Sequence, residues 1–128
     1  MRVLLDTHAL IWFLEGNKSL GREASRAIEN QSNDVLVSAV SAIEVTNKFR
    51  MGKLKQAELL ARDFEATILA YGFAPLSVTV AHASLAGSLD IPHRDPFDRL
   101  LIAQARIEQL ALISNEKAFD VFGVTRLW

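Results

Sequence analysis

The sequence contains no cysteine, which excludes disulfide bonds and thiolate metal ligands. It contains only three histidines, and His8, His82 and His93 are too far apart along the chain to predict a zinc site. The ligands left for a metal are carboxylate, hydroxyl and carbonyl oxygens. Any metal bound by this chain is therefore expected to be a hard cation.

The chain also lacks a charge excess and a long apolar run. A formal net charge of −1 provides no general attraction for nucleic acid, so such a partner would need a local basic patch. No apolar run approaches the roughly 20 residues that span a bilayer, and Asp6 interrupts the first one too early for a signal peptide. We expect a cytoplasmic protein that does not contact a membrane.

The chain has enough hydrophobic residues for one core. Half of its 128 residues are hydrophobic and 23% are charged, which is typical of a single globular domain. No internal repeat, low-complexity segment or linker divides it. We expect one domain over residues 1–128.

Short apolar runs alternate with segments of helical periodicity. Strands are predicted at 2–5, 35–38, 73–77, 111–114 and 124–128. Helices are predicted at 9–14, at 20–30 with Ser19 as N-cap, at 38–51, 56–71 and 78–89, and from Pro96 onward, and a brief helix is predicted after Glu116 and through Phe119. Pro75 cannot donate to a ladder, which places the third strand at an edge. This alternation predicts an α/β fold, a mostly parallel sheet with helices on both faces.

Acidic residues follow strands or begin helices in this scheme. Asp6 and Glu116 follow strands, while Glu44, Asp95 and Asp98 lie at helix N-termini. Ligands of parallel sheets gather beyond the carboxyl ends of the strands, so four separate segments would bring acids to one edge.

Each acid also has a purely structural interpretation. Asp95 suits an N-cap before Pro96, and Asp98 then complements the helix dipole. The spacing of Ser41 and Glu44 matches a capping box. Such local roles are independent of one another, and they do not predict that the acids converge.

Clustered carboxylates repel one another and need a counter-charge. Mg²⁺ or Mn²⁺ suits an oxygen-only site and would activate water for phosphodiester hydrolysis. Lys48, Arg94 and Arg99 are candidates for binding the phosphate backbone of such a substrate. Lys48 lies four residues after Glu44, which is equally typical of a solvated helix pair.

Three segments carry a resemblance to a known family: LDTHALIW (5–12), VSAVSAIE (37–44) and HRDPFDRLLIAQA (93–105). They resemble PIN-domain proteins of the VapC toxin type, over most of the chain. The resemblance implies a PIN-like α/β/α sandwich and a Mg²⁺- or Mn²⁺-dependent endoribonuclease acting on structured RNA such as tRNA. It also implies a cognate antitoxin and a homodimer.

The resemblance extends to individual acids. Asp6, Glu44 and Asp98 match the main acids of the family. Asp95 matches an acid common in this subgroup, as an N-cap, a group beside the metal or an outer ligand. The family usually has Thr-x-Asp where this chain has Ser114, Asn115 and Glu116, and the extra methylene of Glu116 moves its carboxylate.

Two other function classes remain as alternatives. A PIN-like module could bind RNA or a partner with little or no cleavage, although retention of the three main acids favours an enzyme. A metal-dependent phosphatase or phospho-receiver on a similar sheet is less favoured, because no acid here needs to be a phosphorylated nucleophile.

Overall fold

The computed structural model describes all residues from Met1 to Trp128. Five strands form one sheet: β1 (Arg2–Leu5), β2 (Asp34–Ser38), β3 (Ala74–Leu76), β4 (Ala111–Ile113) and β5 (Arg126–Leu127). Seven α-helices connect them: α1 (Thr7–Glu15), α2 (Arg22–Glu29), α3 (Ala39–Arg50), α4 (Glu58–Arg62), α5 (Phe64–Ala70), α6 (Val80–Ser88) and α7 (Pro96–Ile107). Two 3₁₀ segments span Lys55–Ala57 and Lys117–Val121. None of the helices combines the length and apolarity needed to cross a bilayer.

The sheet has the order β3-β2-β1-β4-β5, and every neighbouring pair is parallel. In the central strand β1, Val3, Leu4 and Leu5 are fully buried, as expected when helices cover both faces of a parallel strand. Pro75 lies in β3 at the edge, as its missing N–H requires. The predicted α/β/α fold class is confirmed.

Buried apolar side chains form one cluster on each face of the sheet. Successive strand residues point to opposite faces, so Val3 and Leu5 join one cluster and Leu4 joins the other. Helices α1 and α2 pack in the first cluster, and α7 supplies Leu101 and Ile102 to the second. The sheet is therefore held between two apolar layers, and its carboxyl-end edge remains available for polar groups.

The predicted start of the second helix is wrong. Helix α2 begins at Arg22, its N-cap is Gly21, and no side chain caps it. Ser19 instead lies in the preceding loop, where its backbone N–H donates to Asn17 Oδ1 at 2.8 Å. The cap position is a glycine because a Cβ at Gly21 would lie only 2.5 Å from the backbone carbon of Trp128.

The predicted helix over residues 56–71 is a 3₁₀ turn followed by two helices. The backbone leaves helical geometry at Asp63, where φ is −147° and ψ is 67°. Leu60 and Ile68 are buried on either side of this break, whereas Leu59 is 81% exposed. The hydrophobic periodicity of a segment does not indicate an interruption of the helix at a single residue.

Candidate functional site

A cavity of about 130 Å³ lies at the carboxyl-end edge of the sheet, beyond β1 and β4. Its lining includes the five acidic residues singled out from the sequence, namely Asp6, Glu44, Asp95, Asp98 and Glu116. They come from the β1–α1 junction, from α3, from the start of α7 and from the segment after β4. The geometric expectation drawn from a parallel sheet is thus met at this edge.

Asp6 forms the junction between β1 and α1. Its backbone N–H donates to Ile113 O at 3.0 Å, and its Oδ1 accepts the Ala9 N–H at 2.8 Å as the N-cap of α1. Its side chain is buried, and burial raises the pKa of Asp6. Ser114, the Ala9 N–H and His8 lower that pKa, while the charge of Asp98 raises it. The fold therefore disfavours the ionised form of this carboxyl.

Glu44 does not take part in the capping box suggested by its spacing from Ser41. The N-cap of α3 is Ser38, whose Oγ accepts the Val40 N–H at 3.0 Å. Glu44 Oε1 instead accepts a hydrogen bond from Thr7 Oγ1 at 2.7 Å. The helix begins at Ala39, directly after the strand that ends at Ser38, so Glu44 lies in its second turn and not three residues after a cap at Ser41.

Thr7 joins two of the segments that line the cavity. Its hydroxyl lies 3.0 Å from Ser41 Oγ as well as bonding Glu44, so it connects the start of α1 to α3. The second oxygen of Glu44, Oε2, lies 3.5 Å from Lys48 Nζ. The Glu44 side chain is 12% exposed, and both of its oxygens are therefore oriented by neighbours.

Asp98 lies in the first turn of α7. As predicted, Asp95 is the N-cap of this helix, with Oδ1 accepting the Phe97 N–H at 2.9 Å, and Pro96 is its first residue. Asp98 Oδ2 lies 2.7 Å from His93 Nε2. Burial raises the pKa of Asp98, and the nearby charges of Asp95 and Glu44 raise it further, while His93 lowers it.

Glu116 is the least constrained of the acids. It is exposed, and its backbone N–H donates to Ser114 Oγ at 3.0 Å. No basic side chain forms a salt bridge with it. Its carboxylate can therefore approach a ligand in the cavity without first leaving a partner.

A buried polar chain fixes α7 against the sheet. Ser38 Oγ donates to Gln104 Oε1 at 2.6 Å, and Gln104 Nε2 donates to Ser77 O at 3.2 Å. Ser38 and Gln104 are fully buried, so their hydrogen bonds are costly to lose. This network aligns the helix that carries Asp98 with the strand end that precedes Glu44.

Residues 3–124 match the sequence model of the PIN domain. The chain belongs to the PIN-domain family. The resemblance seen in the sequence is thereby confirmed at the level of the family.

Solved structures share the fold of this PIN domain. A chain of a toxin-antitoxin complex from Klebsiella pneumoniae is 21% identical with a TM-score of 0.61, over 94% of this chain and 92% of that one. VapBC2 from Rickettsia felis, bound to a DNA fragment from its promoter, matches with 14% identity and a TM-score of 0.71 over 100% of both chains. FitAcB from Neisseria gonorrhoeae matches with 19% identity and a TM-score of 0.63, over 98% of this chain and 96% of that one. Among curated proteins, no sequence matches significantly.

The acids of this PIN domain suit a hard divalent cation by their chemistry. All candidate ligands are carboxylate oxygens. Burial and neighbouring negative charge raise the pKa values of Asp6 and Asp98, and a bound cation would offset both effects. No three acidic or histidine side chains are placed closely enough to hold one ion directly. Mg²⁺ commonly binds one or two carboxylates and keeps several waters, so the donor set fits this mode of binding.

A second, more open cleft of about 460 Å³ continues from the acidic cavity. Glu44, Lys48 and Asp95 line both, and Arg94 lines the cleft only. Arg94 is exposed and forms no salt bridge. Lys48 and Arg94 are thus positioned where an anionic chain leaving the cavity would pass.

Arg99 does not fit the phosphate-binding role suggested from the sequence. Its guanidinium donates to the carbonyl oxygens of Ala86 at 2.8 Å, Leu89 at 2.6 Å and His93 at 2.9 Å. These bonds hold the end of α6 and the loop before α7. The other two N–H donors point at Ile91 O at 3.4 Å and Gly87 O at 3.5 Å, so none of the five is left to bind a phosphate with two bonds.

Three residues that organise the site were not identified from the sequence. Thr7 is indistinguishable from any hydroxyl residue at a helix start, and His93 precedes Asp98 by a spacing that follows no helical rule. Gln104 did carry a signal, because it is an amide within the apolar run of α7. A lone amide in such a run predicts a buried hydrogen-bond network.

Proposed function

We propose that this PIN domain is an endoribonuclease toxin of the VapC type that hydrolyses RNA with Mg²⁺ or Mn²⁺. Asp6, Glu44, Asp98 and Glu116 would hold the ion, one or two of them directly and the others through its water molecules, with Asp95 at an outer position. The observation that carries the proposal is that acids from four separate segments line one cavity of a PIN fold. PIN-domain toxins are in general nucleases, which agrees with this reading of the site.

A bound divalent ion would lower the pKa of a water molecule and neutralise charge on the phosphodiester. The protein residues have separate tasks around it. Asp6 and Asp98 must be ionised to act as ligands, so binding competes with protonation of two carboxyls whose pKa values are raised. Thr7 keeps one oxygen of Glu44 in place. Lys48 and Arg94 would bind phosphates beside the scissile bond.

Incubation of the purified protein with total RNA tests the activity. We expect cleavage with Mg²⁺ or Mn²⁺ and none with a chelator. The matched variant Asp98→Asn keeps the size of the side chain and its acceptor oxygen, and it should leave the RNA intact. Intact RNA with either metal, together with tight RNA binding, would instead favour the module that binds RNA or a partner without cleaving it.

We also propose that the chain is restrained by a cognate antitoxin. Similarity to chains of toxin-antitoxin complexes supports such a partner. Expression of the chain alone should slow bacterial growth, and co-expression with the product of a neighbouring gene should restore it. Normal growth without the partner, with no neighbouring product binding the chain, would contradict the toxin role.

A homodimer is the assembly proposed from the family resemblance. Light scattering after size exclusion at micromolar concentration should give twice the mass of one 14.2 kDa chain. A mass of one chain would refute it.

A further inference from the structure

His93 is held on three sides although it belongs to a loop. Its Nε2 lies 2.7 Å from Asp98 Oδ2, and its backbone carbonyl accepts a hydrogen bond from Arg99 Nη1 at 2.9 Å. Its ring packs edge-on against Phe119 and Phe122, with centroid separations of 5.7 Å and 6.4 Å. A surface histidine would normally rotate freely, and this one has a fixed ring plane and a fixed backbone.

The contacts of the ring connect two parts of the acidic cavity. Phe119 lies in the 3₁₀ segment that follows Glu116, and both phenylalanines are buried. Asp98 lies in α7 and contacts the ring through Nε2. An ionised carboxylate only accepts hydrogen bonds, so the proton between the two side chains belongs to Nε2. The imidazole thus has a single orientation in which it donates to Asp98 and packs on both aromatic rings.

We propose that His93 is a positioning residue of the cation site, which orients the Asp98 carboxylate by donating a hydrogen bond to Oδ2. Oδ1 has no hydrogen-bond partner in the protein and is thereby left for a ligand of the cavity that Asp98 lines. Groups that bond to metal ligands in this way usually change metal affinity by roughly 10- to 100-fold when they are removed. This inference rests on the proposed divalent cation, and it concerns a residue outside the acid set.

Two variants separate the hydrogen bond from the packing. His93→Gln keeps an N–H donor at a similar reach but loses the ring, whereas His93→Phe keeps a ring against Phe119 and Phe122 but loses the donor. If His93 acts through its hydrogen bond, the two variants should rank in opposite orders in melting temperature and in Mn²⁺ affinity. The metal-free melting temperature should fall more for the Gln variant, and Mn²⁺ affinity should fall more for the Phe variant.

Mn²⁺ binding by the full chain can be measured from the electron paramagnetic resonance signal of free Mn²⁺, without RNA. We expect His93→Gln to bind within about threefold of wild type and His93→Phe to bind at least about tenfold more weakly. With Asp98→Asn as background, changing His93 to Phe should weaken binding little further, because the carboxylate that His93 orients is then already absent.

Two results would overturn the assignment. One is a Mn²⁺ affinity of His93→Phe equal to that of wild type. The other is a loss of Mn²⁺ affinity that is larger in whichever variant has the lower melting temperature. If wild type binds no Mn²⁺, the metal-dependent function and this inference both fail. If wild type binds Mn²⁺ and the opposite orders are found but RNA stays intact, the nuclease proposal fails while the role of His93 stands.

Discussion

At the scale of single residues, Asp6 combines a structural and a chemical role. Its Oδ1 caps α1, and the same carboxylate is buried at the candidate cation site. An amide would serve the first role as well as a carboxylate does, since Asn and Asp are equally good N-caps. Only the second role requires the charge. The two roles can therefore be separated by substitution.

Asp6→Asn should leave the metal-free protein at least as stable as wild type near pH 7.5 and abolish RNA cleavage. Because burial raises the pKa of Asp6, the folded state favours the protonated carboxyl. Its contribution is fully present below the unfolded pKa and is lost as the pH rises through the raised folded pKa. An amide has no proton to lose, so the advantage of the Asn variant should appear at pH 7.5 and shrink near pH 4. Thermal melting in chelator measures it.

Asp6→Ala is the control for the cap. It removes the acceptor of the Ala9 N–H and should cost about 1 kcal/mol of unfolding free energy relative to Asp6→Asn. If the Asn variant melts as low as the Ala variant at pH 7.5, the charge of Asp6 does not oppose folding.

Arg94 and Arg99 are five residues apart and should respond differently to substitution. Arg99→Met removes several charge-assisted hydrogen bonds to backbone carbonyls and should cost roughly 2–3 kcal/mol in urea unfolding. Arg94→Gln should leave unfolding unchanged. It should instead reduce the slope of log affinity against log salt for single-stranded RNA by about 0.7, because one phosphate contact is lost. A reduced stability but an unchanged slope in Arg94→Gln would contradict the proposed contact between Arg94 and an RNA phosphate.

At the scale of elements, the helix boundaries were predicted best where local chemistry decides them. The start of α7 follows from Asp95 and Pro96 alone, and the structure has the helix beginning there. The start of α2 was not predictable, because the N-cap must be a glycine only where the backbone passes close to Trp128 at the other end of the chain. A contact between residues so distant in sequence leaves no local pattern.

Gly21→Ala should therefore destabilise the protein by roughly 1–3 kcal/mol, as overpacking usually does. The added Cβ would lie 2.5 Å and 2.6 Å from backbone atoms of Trp128, which cannot rotate away as a side chain could. Gly87→Ala is the matched control. Gly87 lies within α6 with nothing within 4 Å of the new Cβ, so alanine there should stabilise by roughly 0.5–1 kcal/mol. Equal effects of the two substitutions on urea unfolding would argue against the close approach of Gly21 to Trp128.

At the scale of the whole molecule, the cation site and the fold should be thermodynamically linked. The candidate ligands belong to separate segments, so an ion that binds them binds the folded chain and not the unfolded one. Mg²⁺ at about a hundred times its dissociation constant should stabilise wild type by roughly 2.7 kcal/mol. The increase should be markedly smaller for Asp6→Asn and Asp98→Asn. Equal metal-induced shifts in melting temperature for all three proteins would refute a shared site.

The sequence by itself determined the strands, the parallel sheet and the edge at which polar groups collect. Buried parallel strands appear in the sequence as short unbroken apolar runs, and helices alternating with them predict a mostly parallel sheet covered on both faces, although not the order of its strands. It also identified Asp6, Glu44, Asp95, Asp98 and Glu116, because residues after strands and at helix starts reach the same edge. These properties depend on patterns within a few residues, which a sequence displays directly.

Only the tertiary structure decided what each polar side chain touches. Arg99 was expected to bind phosphate, and its guanidinium instead donates to backbone carbonyls. Glu44 was expected in a capping box with Ser41, and its carboxylate instead accepts a hydrogen bond from Thr7. His93 contacts Asp98 in α7 and the rings of Phe119 and Phe122, in and directly after the 3₁₀ segment beyond β4. A flexible polar side chain has many possible partners of equal chemistry, and which one it meets depends on distances between elements that are far apart in the chain.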